Sequence, residues 1–397
     1  MLLLLRHRAI LFREVHFLMR TMATIFRVSV ATPLLLAVLT LVGCSGGASA
    51  SSAGSGAQTA SAPVVSSMAA QNGAKIVTLA TASSGATIYY TLDGTTPTSS
   101  STPYLAPFLV ASNVTLNAIA QGNGYTASSV ATQSFTLNLA SGTLVWSDEF
   151  SNSTSSNAQP AAGTWSYDTG AGGWGNAELE TYCAWNSSAS PCSATSPNAY
   201  VGPDGYLHVV AQQPSSGVYT SARLKSQGLF SFQYGRLEIR AQLPEQQGLW
   251  PAGWLLGNNY STVNWPACGE LDVLEHVNAA TVPDWNAGSI HGTGFTGTSL
   301  GTYYSFPTGE NAAGWHTYGM IWQKGSIAYY IDDPTKPYAT YTPSSLSSLS
   351  GAVWPFDAGP QFLLFNLAVG GNWPGSPSAS TVFPAQMLVD YVRIYTN

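Results

Sequence analysis

The chain has 397 residues, of which only 8% are Asp, Glu, Lys or Arg, against about 25% in an ordinary soluble domain. With 13 basic residues against 19 acidic ones there is no basic stripe to neutralise phosphates, which excludes nucleic-acid binding. Coiled coils and long exposed helices are excluded for want of surface Glu, Lys and Arg. The remainder is rich in rings and turn formers, with 12 Trp, 20 Tyr, 14 Phe, 39 Gly and 23 Pro, a composition suited to short strands joined by tight turns.

The first 43 residues have the pattern of an export segment. Arg6, Arg8, Arg13, Arg20 and Arg27 precede the apolar run 33–42, and Glu14 is the only acid there. The run is short for a spanning helix and ends before small residues, as signal segments do. Its ending, Leu41-Val42-Gly43-Cys44, resembles the lipobox of bacterial lipoproteins, which implies lipidation at Cys44 and an envelope or surface anchor. The alternative is an ordinary signal peptide and a secreted protein. A start at Met19 or Met22 would leave this reading unchanged. Removing the segment leaves 8 basic and 18 acidic residues, a net charge of −10. Residues 44–61, almost all Ser, Gly and Ala, are expected to form a flexible tether.

Residues 62–140 carry two charges, Lys75 and Asp93. Polar and apolar residues alternate over 75–79, 87–92 and 114–119, and Asp93-Gly94 reads as a turn, so a small antiparallel sandwich is expected. The string 88–98, with Gly124-Tyr125 downstream, resembles the immunoglobulin-like domain found at the C-terminus of chitobiases. A spacer role is the default expectation, with carbohydrate binding through Tyr89 or Tyr90 as the alternative.

All 12 Trp and 17 of the 19 acids lie in 143–397. Strand-like runs at 206–211, 235–243, 252–256, 270–275, 315–322, 327–331, 361–367 and 386–395, separated by Gly, Pro, Asn and Ser clusters, predict an all-β sandwich. The most informative stretch is Glu270-Leu271-Asp272-Val273-Leu274-Glu275. Three carboxylates in six residues repel one another and have no neighbouring Lys or Arg. Glu270 and Asp272 share a face by the period of two, whereas Glu275 falls on the other face of a regular strand. A β-bulge at Val273-Leu274 would return Glu275 to the same face, leaving Leu271 and one of Val273 or Leu274 in the core. A pair of carboxyls held about 5–5.5 Å apart is the equipment of a retaining glycosidase.

This segment fits the E-x-D-x-x-E signature of glycoside hydrolase family 16. The resemblance extends through 146–150, Gly172-Gly173-Trp174-Gly175-Asn176-Ala177-Glu178-Leu179, 219–225, 248–252, 265–269, 366–375 and 387–393. It is nearest to bacterial laminarinases, endo-acting β-1,3-glucanases with a concanavalin-like jelly roll. It implies Glu270 as nucleophile, Asp272 as its assistant and Glu275 as general acid/base, in a monomer acting on a β-glucan. Mixed-linkage glucan, another neutral polysaccharide, or glucan binding without catalysis on the same scaffold are the alternatives.

A glucan presents apolar ring faces and hydroxyl edges. Trp174, Trp250, Trp254 and Trp265 are therefore the expected stacking residues, and Asn176, Arg223 and His291 the expected hydrogen-bond partners. A second His usual in the family is replaced by Phe295. The resemblance also implies a structural calcium at Glu149, Gly205 and Asp390, while the chemistry itself needs no cofactor. Cys183 and Cys192 close a short loop fit for a disulfide in an exported protein, leaving Cys268 unpaired. His276 is expected to be structural, and His208 and His316 have no evident partner.

Overall fold

The computed structural model describes residues 57–277 and 284–397. The export segment and Cys44 lie outside the described residues. The tether ends earlier than expected. Gln58–Thr59 pairs in parallel with Tyr125–Thr126, Ala60 donates its N–H to the Thr126 carbonyl and its side chain is buried, so 57–61 belong to the accessory domain.

That domain is a sandwich of two antiparallel sheets. One contains Val64–Ala69, Lys75–Ala80 and Phe108–Val110; the other contains Thr102–Pro103, Thr87–Thr91, Val114–Gln121 and Ala131–Phe135. The alternation of Thr87–Thr91 turns Ile88 and Tyr90 inward, where Tyr90 stacks on Phe108 at 4.8 Å. Tyr89 faces the other way and is half-buried.

The accessory domain packs on the larger domain. Leu109 donates its N–H to the Ser231 carbonyl at 3.0 Å, Ser231 Oγ donates to the Pro107 carbonyl at 2.9 Å, and Asn72 Nδ2 donates to the Leu144 carbonyl at 2.8 Å. Leu109 and Ala74 sit in the core of the larger domain. Leu109→Asp, which forces an unpaired charge into that seam, is expected to split a single calorimetric unfolding transition into two.

The larger domain is a jelly-roll-like pair of sheets, as expected. Its ten-stranded outer sheet contains Leu207–Ser215, Gly235–Gln242, His316–Gln323, Ser326–Ile331 and Ala385–Tyr395. The seven-stranded inner sheet is formed by β1 (Ser166–Asp168), β2 (Arg223–Lys225), β3 (Leu249–Gly257), β4 (Glu270–Glu275), β5 (Trp285–His291), β6 (Gly301–Ser305) and β7 (Gln361–Val369). Its spatial order is β1-β2-β7-β3-β4-β5-β6. Leu237, Ile239, Met320 and Trp322 from the outer sheet meet Leu255, Leu271, Ile290, Phe365 and Leu367 from the inner one. The dry layer between the sheets thus holds the inner sheet's other face free for polar side chains.

Cys183 and Cys192 form the expected disulfide, and Cys268 is free and buried. His208 and His316, without partners in the sequence reading, are held by Asp204 with Gln386 and by Asp332 with the Asn311 carbonyl. The side chains at two of the expected calcium positions are engaged by arginines. Glu149 is clamped by Arg393 through two contacts of 2.9 and 2.8 Å, and Asp390 is held by Arg240. A calcium there would be held by main-chain oxygens, which these side-chain ion pairs do not involve. Gly205, the third expected donor, sits in a turn at φ +82°.

Candidate active site

β4 carries the bulge. Gly253 lies opposite Leu274 and Trp254 opposite Asp272, so Val273 is the residue left over. Leu271, Val273 and Leu274 are all in the core, one more than expected, because the bulge turns two successive apolar side chains inward. Glu270 and Glu275 are then half-buried on the open face, with Asp272 buried between them. Gly269 precedes the strand at φ +80°, and a Cβ there would meet Pro355 at 2.7 Å; only glycine both adopts this turn and fits beneath that ring.

A bulge leaves ladder groups unpaired, and one side chain repairs this one. The β4–β5 pairing ends at Asp272↔Ser289. Beyond it, Asn286 accepts from the Glu275 N–H at 3.0 Å and donates to the Val273 carbonyl at 3.2 Å. Asn286 is fully buried and also lies 3.2 Å from Tyr338 Oη. Sequence reasoning missed it, since nothing local distinguishes an Asn in a strand from one in a turn.

The three carboxyls have different neighbours. Trp250 donates its indole N–H to Glu275 at 3.0 Å. His291 Nε2 lies 3.0 Å from Asp272 and 3.8 Å from Glu270. Burial, and then the Asp272 charge, pushes Glu270 and Glu275 up to about 8, while His291 opposes the rise in both. Burial also raises Asp272 to about 8. Each charge suppresses the next, so the three carboxyls lose their protons one at a time rather than together. Glu270, Asp272 and His291 also place one donor atom each within 4.8 Å of one another.

Raised carboxyls also affect the fold. Their contribution to stability is fully present below the unfolded-state value near 4 and is lost as pH rises through about 8. Asp272→Asn is expected to gain stability relative to the parent on going from pH 5 to pH 9, by at least about 1.4 kcal/mol, the free energy of a tenfold change in the proton-binding constant. Denaturant titrations at the two pH values check this.

Of the expected substrate contacts, the structure gathers three in one stack. The Arg223 guanidinium lies 5.1 Å from the Trp174 ring and 4.7 Å from the Trp254 ring, with Asp168 3.1 Å from its Nε. Trp174 is presented by a loop in which Gly173, Trp174, Gly175 and Ala177 all have positive φ. Asn176 bonds Glu178. Trp265 stands apart on the loop before β4 and is 47% exposed. Trp250 and His291 touch the carboxyls directly, so their first role is to hold charge. His276 is structural as expected, with Nδ1 2.7 Å from the Trp285 carbonyl oxygen, and Phe295 is buried against Phe356. Unforeseen is an aromatic cluster beyond Glu275, in which Trp373 packs against Trp250 and Trp285 at 5.3 and 5.5 Å and Tyr303 meets Trp285 at 4.7 Å. Tyr303 and Trp373 are exposed and give the cleft a second apolar platform.

Paired carboxyls on one bulged strand of an open β-sheet face, flanked by aromatic rings, define a glycoside hydrolase. The comparisons agree: residues 186–393 match glycosyl hydrolases family 16, and the chain belongs to that family. Residues 69–132 match the chitobiase/beta-hexosaminidase C-terminal domain. The chain is 38% identical over 261 residues to a beta-glucanase of Rhodothermus marinus, an alignment covering 64% of this chain and 84% of the relative. It is 34% identical to glucan endo-1,3-beta-glucosidase A1 of Niallia circulans, covering 64% of this chain but only 37% of that protein. The catalytic domain of an endo-1,3-beta-glucanase (laminarinase) from Thermotoga petrophila superposes with a TM-score of 0.56 at 34% identity, covering 65% of this chain and 99% of that one.

Proposed function

We propose that this protein is a retaining endo-β-1,3-glucanase acting on laminarin-like glucans. The observation that carries the reading is the bulged strand, which places Glu270, Asp272 and Glu275 on one face beneath rings suited to an uncharged sugar chain. Ionised Glu270 attacks the anomeric carbon while Glu275 gives its proton to the departing glycosidic oxygen, so one C–O bond forms as the other breaks. Glu275, now a carboxylate, takes a proton from water; that water displaces Glu270 and releases the sugar with its original configuration. Asp272, 3.0 Å from His291 Nε2, orients the nucleophile and keeps the proton inventory of the pair fixed. Trp250 holds the Glu275 carboxyl toward the scissile oxygen through the cycle.

The substrate assignment is supported by the names of the relatives and by the scarcity of cleft cations. Arg223 and Lys225, the two basic residues on the inner sheet, are both paired with Asp168, which disfavours a sulfated polymer. Reducing-sugar release from laminarin, mixed-linkage glucan and agarose in parallel is the test. Laminarin is expected to be cleaved fastest, and release from agarose alone would overturn the assignment.

The protein is further proposed to work outside the cytosol, anchored by lipid at Cys44. The Cys183–Cys192 disulfide supports an oxidising compartment, and the basic-then-apolar leader supports export. Cys44→Ser is expected to move the protein from the detergent phase to the aqueous phase on partitioning.

A further inference from the structure

Two buried acids outside the catalytic strand have no part in the reaction above. Glu178 is 8% exposed and Glu180 fully buried. Glu180 Oε2 accepts the Val369 N–H at 2.7 Å. Its Oε1 is buried and, among the described residues, meets no N–H or hydroxyl donor; the Glu178 carboxyl is its titratable neighbour. Both oxygens of Glu178 already accept, Oε1 from Asn176 Nδ2 at 3.1 Å and Oε2 from Tyr182 Oη at 2.8 Å. Two neighbouring carboxylates away from water repel unless one of them carries a proton. Since Glu178 is filled as an acceptor, the proton belongs to Glu180.

The polarity of the bonds then runs one way into the cleft. Tyr182 spends its hydroxyl hydrogen on Glu178, so its oxygen accepts Asn366 Nδ2 at 3.1 Å. Asn366 Oδ1 in turn accepts the Trp254 indole N–H at 2.8 Å. Trp254 is one face of the stack that encloses Arg223, and Tyr182 packs edge-on against Trp174, the other face, at 5.3 Å. Asn366 also lies in one cross-strand row with Arg223, Ala252 and Glu275.

We infer that Glu180 is held as a neutral acid that donates to Glu178 and, through Tyr182 and Asn366, positions the Trp254–Arg223–Trp174 wall against which the glucan lies. Glu180 is a positioning residue for sugar binding on that side of the cleft. Burial first, and then Glu178, pushes its carboxyl up to about 8. The charged and titratable groups around the pair are Tyr182, Arg223 with its partner Asp168, and, along the row, Glu275. When the Glu180 proton is lost, the two charges separate, Tyr182 turns and the wall loosens, so sugar binding weakens as pH rises past about 8.

The inference rests on the glucan reading for its ligand but not for its proton, and two measurements keep them apart. Carbon-13 NMR of glutamate-labelled protein, with Glu180→Gln used for assignment, is expected to show a protonated Glu180 carboxyl at pH 7; an ionised one overturns the inference whatever the substrate. Laminarihexaose binding is then followed in a Glu275→Gln background, where cleavage does not interfere. The dissociation constant is expected to rise at least about five-fold more between pH 7 and pH 9.5 with Glu180 present than in Glu180→Gln, whose amide keeps both hydrogen bonds and whose remaining pH dependence belongs to Glu270 and Asp272. The same rise with and without Glu180 overturns the positioning role. Absence of hexaose binding at pH 7 alongside a protonated Glu180 contradicts the glucan assignment and leaves the proton standing.

Discussion

Glu270→Ala and Glu275→Ala should both abolish turnover of polymeric glucan, and they should do so distinguishably. Loss of the nucleophile is expected to lower kcat by roughly 10⁴- to 10⁶-fold with any substrate. Loss of the general acid costs about 10²- to 10⁴-fold on glucan, but little in the first step with an aryl glycoside whose leaving group needs no proton. Added azide separates them by stereochemistry. In Glu270→Ala it occupies the space of the missing carboxylate and gives an α-glycosyl azide, whereas in Glu275→Ala it intercepts the glycosyl-enzyme and gives the β product. The assignment of roles fails if the two variants give the same anomer. It also fails if the aryl substrate rescues Glu270→Ala and not Glu275→Ala. The environments already point this way: the indole N–H of Trp250 aims at Glu275, while Glu270 lies 3.8 Å from the imidazole that also serves Asp272.

The second large effect is expected at a residue that touches no substrate. Asn286→Leu fills nearly the same volume yet leaves the Val273 carbonyl and the Glu275 N–H buried and unpaired. Each orphaned group costs about 1–3 kcal/mol, so the variant should lose about 2–6 kcal/mol and on the order of 10 °C in Tm. Activity should fall further than stability accounts for, because the Glu275 backbone is one of the two groups released. Asn286→Asp, which keeps the acceptor to Glu275 but not the donor to Val273, should recover part of kcat with little recovery of Tm. Equal recovery of both would mean that Asn286 acts on the fold alone.

Much of this molecule is legible in its sequence, for a reason visible strand by strand. Where one face of a strand is buried and the other open, composition alternates with period two, and runs such as 235–243 or 386–395 are found nearly to the residue. The bulge in β4 is legible because the alternative would scatter three acids over both faces of a sheet. The identity of its extra residue is not, since Val273 and Leu274 are equally apolar and both end in the core. What escapes local reading is what distant partners decide. Asn286 reaches across to β4, Glu149 and Asp390 are taken by arginines from other strands, and the neutrality of Glu180 follows from how Glu178 is already engaged. The docking of the accessory domain is hidden for the same reason, because Leu109 and Ser231 are unremarkable in their own segments and meaningful only as a pair.

The scarcity of charge is consistent with such a site. A neutral sugar chain is gripped by rings and hydroxyl contacts, and the few charges on the inner sheet are paired, shared or protonated. The central claim is that this strand performs a double displacement, and the direct measurement is the anomer first released. Proton NMR of laminarin during the opening minutes of digestion should show the β-anomer accumulating ahead of mutarotation. Appearance of the α-anomer first would mean single displacement by water and would contradict the role given to Glu270.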